Sequence, residues 1–169
     1  MTISTEAVMW TDPRVAALHE ALFAETGALY KADLDALTPE RLAAARGSLA
    51  VDPDEIAVTL LVLDDALPVA TAAVRPSHAA PGTEWEVKRV YVADDYRGRG
   101  LSKALMLELH ERATSAGMAT MVLQTGGLQH AAHRLYEGLG YQRVAVYPPY
   151  GFFPGERYYR KTLERFIPS

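Results

Sequence analysis

The sequence predicts a single domain of the α/β class, and three observations lead there. Segments with apolar residues at helical spacing alternate with short runs rich in β-branched residues. One consecutive trio, residues 86–92, 101–116 and 120–125, reads as strand, helix, strand. The 169 residues suffice for one full core, and no linker, repeat or low-complexity tract divides residues 1–169.

Residues 12–30 read as the first helix. Asp12 caps it, Pro13 suits its first turn, and Val15, Leu18, Leu22 and Leu29 fall near one face. A second helix begins at Thr38-Pro39-Glu40-Arg41 and runs to about Arg46. Residues 56–63 form a continuous apolar run with β-branched members, the pattern of a buried strand. Asp64-Asp65 turns the chain into a strand over 69–74, so the two strands make a hairpin. After a loop at 78–82, the strand 86–92 leads into a glycine-rich turn. The helix 101–116 follows, with a stripe of Leu101, Leu105, Leu109 and Ala113 and with Gly117 at its C-terminal cap. Residues 120–125 are a strand. Residues 129–139 are a helix with Ala132, Leu135, Tyr136 and Leu139 on one side, closed by Gly140. Strands at 141–147 and 157–163 flank a proline- and aromatic-rich loop. The crossover through helix 101–116 makes 86–92 and 120–125 parallel. It also puts the helix N-terminus at the C-terminal edge of the sheet, where ligands of α/β proteins bind.

The turn between that strand and helix is Tyr91-Val92-Ala93-Asp94-Asp95-Tyr96-Arg97-Gly98-Arg99-Gly100, running into Leu101-Ser102-Lys103. Backbone N–H groups converge there with a positive helix end, a geometry suited to phosphate. Gly98 and Gly100 remove side chains that would hold a diphosphate off the backbone. Three phosphate loops compete. A dinucleotide fingerprint, G-x-G-x-x-G, fails at Lys103; a Walker loop needs G-K-[ST], which is absent. The coenzyme A pattern, R/Q-x-x-G-x-G/A, fits Arg97, Gly100 and Ser102, with Ser at the last small position. An ordinary strand-to-helix turn has the same composition, and the loop by itself leaves these readings open.

Composition excludes several classes. With 49% apolar and 22% charged residues the chain is ordinary for a water-soluble protein. The net charge of −4 argues against a duplex nucleic acid partner. No apolar run approaches the roughly 18–20 residues that cross a bilayer, and the first residues lack the pattern of a signal peptide. The absence of cysteine removes disulfides and thiolate catalysis. The expectation is a cytoplasmic protein with neither membrane nor nucleic acid as partner. His78, His130 and His133 have no acidic or thiol neighbour at metal-site spacing, so no metal is expected and these histidines read as surface residues.

Residues 86–144 resemble the GNAT superfamily of acyl-CoA-dependent N-acetyltransferases in three blocks. Glu86-Val87-Lys88-Arg89-Val90-Tyr91-Val92 is similar to the family's splayed fourth strand. Tyr96-Arg97-Gly98-Arg99-Gly100-Leu101-Ser102-Lys103-Ala104-Leu105 is similar to its pyrophosphate loop and helix. The run from Gln129 to Tyr141, with Ala132, Leu135, Tyr136 and Gly140, resembles its last long helix. The resemblance implies an α+β type domain. Its central, mixed, mostly antiparallel twisted sheet would have six to seven strands, a splayed parallel pair and about four flanking helices. It implies acetyl-CoA as acyl donor, an amine of a small molecule or protein as acceptor, and allows a homodimer. By position, Val90, Tyr91 and Val92 would offer strand-edge backbone to pantetheine, and Arg97, Gly98, Arg99, Gly100, Leu101, Ser102 and Lys103 would hold the pyrophosphate. Gln129 stands where many members have a cofactor-contacting Asn. Gln124 stands where some have a Glu base, and an amide takes no proton at neutral pH.

Acyl transfer to an amine needs a neutral nucleophile, a stabilised thioester oxygen and a tolerated thiolate. Glu84 and Glu86 share one strand face, and Glu86, at the family position, is the expected base. A surface carboxylate paired with Lys88 or Arg89 is the competing reading. Tyr136 is the expected acid toward sulfur, and Val92 N–H the expected donor to the thioester carbonyl. Tyr30, Tyr147 and Tyr150 are expected at the acceptor pocket. A domain that binds acyl-CoA without turning it over is the second functional reading.

Overall fold

Local signals set the first elements. The Asp12 carboxylate accepts the Arg14 N–H at 2.9 Å, and helix α1 runs over Pro13–Leu29. A second short helix, α2, covers Lys31–Asp35, and Thr38 caps α3 over Pro39–Leu49. The structure, a computed structural model, describes residues 1–164. Among these the strands are β1 (Ile3–Val8), β2 (Val58–Asp64), β3 (Leu67–Pro76), β4 (Glu84–Val92), β5 (Thr120–Thr125), β6 (Gln142–Val144) and β7 (Arg157–Thr162). Helix α4 is Leu101–Ser115 and α5 is His130–Gly138.

The seven described strands form one sheet in the order β1-β2-β3-β4-β5-β7-β6. Every neighbouring pair is antiparallel except β4 and β5, the pair joined through α4. The sheet is thus mixed and mostly antiparallel, with one parallel pair, as expected. The described helices number five rather than about four, because α2 carries no apolar period to announce it. Strand β1 was not expected. It lies at the sheet edge, almost wholly exposed, so its sequence has no buried alternation. The strand expected over 141–147 shrinks to Gln142–Val144, because Tyr147 leaves the ladder to bury its ring.

Side-chain alternation divides the sheet between two helix layers. Leu60 and Val62 pack with α4 residues Leu105, Met106, Leu109 and Ala113, and with Tyr136 of α5. Leu61, Leu63 and Tyr91 face the other way, onto Val15 and Leu18 of α1. Leu29, expected in the α1 stripe, is 48% exposed instead. His133 is buried, contrary to the surface reading, with its Nε2 2.9 Å from Gly126 O.

Candidate active site

The site originates in a bulge in β4. Thr71 of β3 lies opposite Tyr91, yet Ala73 lies opposite Lys88, so Arg89 and Val90 together face one residue of the partner strand. Arg89 has φ +57°, which bends the strand. On its other side β4 pairs with β5 only over Glu84, Trp85 and Glu86. Beyond Glu86 the parallel strands part. Ala93 N–H donates to Val69 O on the β3 side, so strand alternation turns the backbone of Val92 toward the open side. Val92 O accepts Arg97 Nε there at 3.0 Å.

A cavity of about 510 Å³ occupies the opening and passes through the sheet. From the α5 side Gln129, Ala132 and Tyr136 line it; from the other side Phe23, Tyr30, Arg46, Leu49 and Phe153 do. Val90 and Gln124 line its middle, and Lys88 and Arg89 stand beside them toward α1 and α3, Arg89 lying over Phe23. Tyr136 is 6% exposed, and its hydroxyl has no hydrogen-bond partner among the described residues. Burial alone holds that hydroxyl well above its ordinary pKa, so it stays protonated. Gln129 Oε1 accepts from Gly126 N–H at 3.0 Å and Thr125 Oγ1 at 3.2 Å, which ties the residue to the β5–α5 turn. Tyr30 packs so closely on that turn that a Cβ at Gly126 would lie 1.9 Å from its hydroxyl, which accepts Leu128 N–H at 3.1 Å.

The glycine-rich loop lies apart from the cavity, at the exposed start of α4. Gly98 and Gly100 adopt φ +74° and +78°, and no heavy atom lies within 4 Å of a Cβ built on either. The first-turn N–H groups of α4, from Leu101, Ser102 and Lys103, have no side-chain cap. Arg97 is committed to Glu25 at 2.6 Å and Asp94 at 3.0 Å. Arg99 stacks 4.6 Å over Tyr96 and donates to Asp95 O at 2.8 Å. Tyr91 points its side chain to α1, donating its hydroxyl to Glu25 at 2.8 Å.

Three expected roles need correction. Glu86 does not line the cavity. It is 1% exposed, one oxygen accepts Arg75 Nε at 2.9 Å, and the other accepts the Tyr147 hydroxyl at 2.7 Å. Both carboxylate oxygens are thus turned to partners in the interior, away from the cavity wall. Tyr147 and Tyr150 also lie beneath the cavity rather than in its wall, packed with Val122 and Tyr158. Their hydroxyls serve Glu86 and Lys88, the latter donating Nζ to Tyr150 at 2.6 Å. From the same loop region it is Phe153 and Glu156 that reach the cavity.

Sequence reading passed over Arg46, Lys88, Arg89 and Glu156 as site residues. The adjacent Lys88-Arg89 pair was the available signal, since two consecutive cations break the alternation of a buried strand. Burial pushes Lys88 down to about 8, with nearby Glu86 pulling the other way. Glu156 is the one carboxylate among the described lining residues. Its Oε2 accepts Gly151 N–H at 3.1 Å and the Tyr158 hydroxyl, while its buried Oε1 has no partner.

Comparison with known proteins agrees with this geometry. The model of the acetyltransferase (GNAT) family matches residues 15–141. The N-acetylaspartate synthetase of Xenopus tropicalis is 41% identical over 61 residues, 36% of this chain and 22% of that protein. The chain thus covers less than a third of the length of the N-acetylaspartate synthetases it matches. A crystal structure from Klebsiella pneumoniae, described as an acyl-CoA N-acyltransferase, superposes with TM-score 0.74 at 28% identity, covering 96% of this chain and 99% of that one. The fold is also shared by the PaiA N-acetyltransferase of Thermoplasma acidophilum, solved in complex with coenzyme A. There the TM-score is 0.67 at 13% identity, over 96% of this chain and 99% of that one. With the family match extending over most of its length, and with the parted parallel strands and glycine loop in place, this chain belongs to the GNAT acetyltransferase family.

Proposed function

We propose that the protein transfers an acetyl group from acetyl-CoA to a primary amine by direct attack within a ternary complex. The observation that carries this reading is the parting of β4 and β5 after Glu86, which leaves strand-edge backbone facing a cavity that crosses the sheet. An extended pantetheine arm fits such an edge by strand addition. The residues present suit the donor: positive-φ Gly98 and Gly100 open the approach to the uncapped N–H groups of Leu101, Ser102 and Lys103 for a diphosphate. Arg97, engaged by two carboxylates, orders the loop in this proposal, and Lys103, exposed, adds charge. Val90, Tyr91 and Val92 contribute backbone, and Gln129 keeps its amide N–H groups for the donor.

The chemical roles divide by side of the sheet. Val92 N–H, at the open edge, polarises the thioester carbonyl as charge builds on it. Tyr136 donates its hydroxyl to the departing sulfur. An ordinary thiol has a pKa of about 8.5, and the Tyr136 hydroxyl is held far above that, so it acts as a hydrogen-bond donor to thiolate rather than surrendering its proton outright. Glu156 receives the acceptor's proton, directly or through water, because it is the carboxylate that reaches the cavity. No helix among the described residues is long and apolar enough to cross a membrane, and with the absence of cysteine this supports a cytoplasmic setting.

The test combines calorimetry of acetyl-CoA binding with release of free thiol across a panel of amines. Binding together with amine-dependent thiol release upholds the reading. Binding without release for any amine replaces it with a domain that holds acyl-CoA without turnover.

A further inference from the structure

The half of the cavity that faces α1 and α3 carries unbalanced positive charge. Arg46, Lys88 and Arg89 line it against one carboxylate, Glu156. Among the described residues neither Arg46 nor Arg89 has a carboxylate within 4 Å, and Lys88 approaches only Glu86, at 3.9 Å. That oxygen of Glu86 already serves Arg75 at 2.8 Å. Such a local surplus is not a consequence of a basic protein, because the chain as a whole carries −4.

Arg89 is held by means other than an ion pair. The bulge aims it, its guanidinium lies 4.5 Å over the Phe23 ring, and one nitrogen donates to Leu49 O at 2.8 Å. Its Nε is buried with no partner. A cation withdrawn from water without an anion is costly, and the cost is recovered when a ligand brings the anion. The donor's phosphates are not that anion. Their expected seat is the start of α4, whose helix packs on the opposite face of the sheet from α1. The positive wall also disfavours an acceptor that is itself purely cationic.

We propose that the acceptor is a small amino acid, a primary amine bearing a carboxylate. Its carboxylate docks on Arg89 with Arg46 and Lys88 alongside, and its amino group points into the opening between β4 and β5. The cavity of about 510 Å³ must also take the end of the donor, which keeps the acceptor small. This inference rests on the acetyltransferase reading above and specifies the substrate for that same site.

The experiment uses the full chain and acetyl-CoA, and measures thiol release with each free amino acid beside its carboxamide and its decarboxylated amine. The best amino acid is expected to exceed both twins in kcat/KM by about ten-fold or more, mainly through KM, as for a charge-assisted hydrogen-bonded pair. Arg89→Gln, and Arg46→Gln at an exposed helix position that tolerates the change, should shrink that ratio. Amides and decarboxylated amines used as well as the acids, or a ratio untouched in both variants, would overturn the proposal and leave the transferase reading standing. If no amine is turned over, the transferase reading falls. The site is then read by calorimetry on the CoA-loaded protein with N-acetyl amino acids against their amides. A preference of about ten-fold for the acid upholds the carboxylate site, and equal binding refutes it.

Discussion

Glu86 and Arg75 face each other across the β3–β4 ladder, each about 1% exposed, with Tyr147 closing the far carboxylate oxygen. Removing the charge of Glu86 leaves buried Arg75, among the described residues, with only the partly exposed carboxylate of Glu55, at 3.5 Å. Glu86→Gln should therefore lower the unfolding free energy by about 3 kcal/mol or more, read from denaturant titration. An unchanged midpoint accompanied by a loss of turnover would return Glu86 to the chemistry. Tyr136→Phe is the converse case. It deletes an unpartnered hydroxyl and keeps the ring beside Tyr141 and Tyr159. Thiol release should drop by about 10²-fold while coenzyme affinity and melting temperature stay near wild type; full turnover would make it a packing residue. The sequence places Tyr136 on a helical stripe, and the structure keeps it there. The fate of Glu86 was not legible, because strand periodicity gives its face but not Arg75, its partner across the ladder.

Helices α1 and α3 announced themselves through Asp12 and Thr38 at their N-termini, and α4 and α5 through apolar stripes, whereas β1 did not, since an exposed edge strand carries no alternation to read. Besides α5 with His133, two helices carry buried histidines. His19 of α1 and His110 of α4, the latter with Nε2 2.8 Å from the Tyr141 hydroxyl, are each pushed down by burial to about 4. Arg89 lowers His19 further, and Lys161 lowers His110. The unfolded chain then binds the proton first as the solution is acidified. The stability these histidines contribute is whole above about pH 6.5, and is lost as pH falls toward 4, at most about 3 kcal/mol each. His110→Gln, which keeps a partner for Tyr141, should lose less stability than wild type over that interval. Equal slopes in paired unfolding titrations would show that His110 does not titrate as described. Tight loop contacts set a further limit. A Cβ at Gly127 would come within 2.4 Å of Gly155 O, so Gly127→Ala must displace the turn that carries Glu156, at about 1–3 kcal/mol. Rescue of the melting temperature by loosening the Gly155 turn would verify the contact, and an unaffected melting temperature would discount it.

Across the whole molecule, the parallel pair was legible because a strand-helix-strand crossover permits only that direction, and the glycine loop was legible because its spacing is local. The sheet order was not legible, since β7 inserts between β5 and β6 through contacts distant in sequence. An open seam through the sheet predicts ligand-linked stability. Coenzyme A at a hundred times its dissociation constant should add about 2.7 kcal/mol, raising the melting temperature by roughly 5–10 °C. Absence of any shift would argue that the seam does not bind it. The seam itself depends on one surplus residue. Deleting Arg89 would remove the second residue that opposes Ala72, let β4 straighten, and bring its free edge within reach of β5. Such a deletion is the inverse of a cavity-forming substitution: it would complete the hydrogen-bond ladder while erasing the site. In a lineage, shortening by a single codon at this position would thus trade catalysis for a more regular sheet, and length at residue 89 should be guarded more strictly than identity.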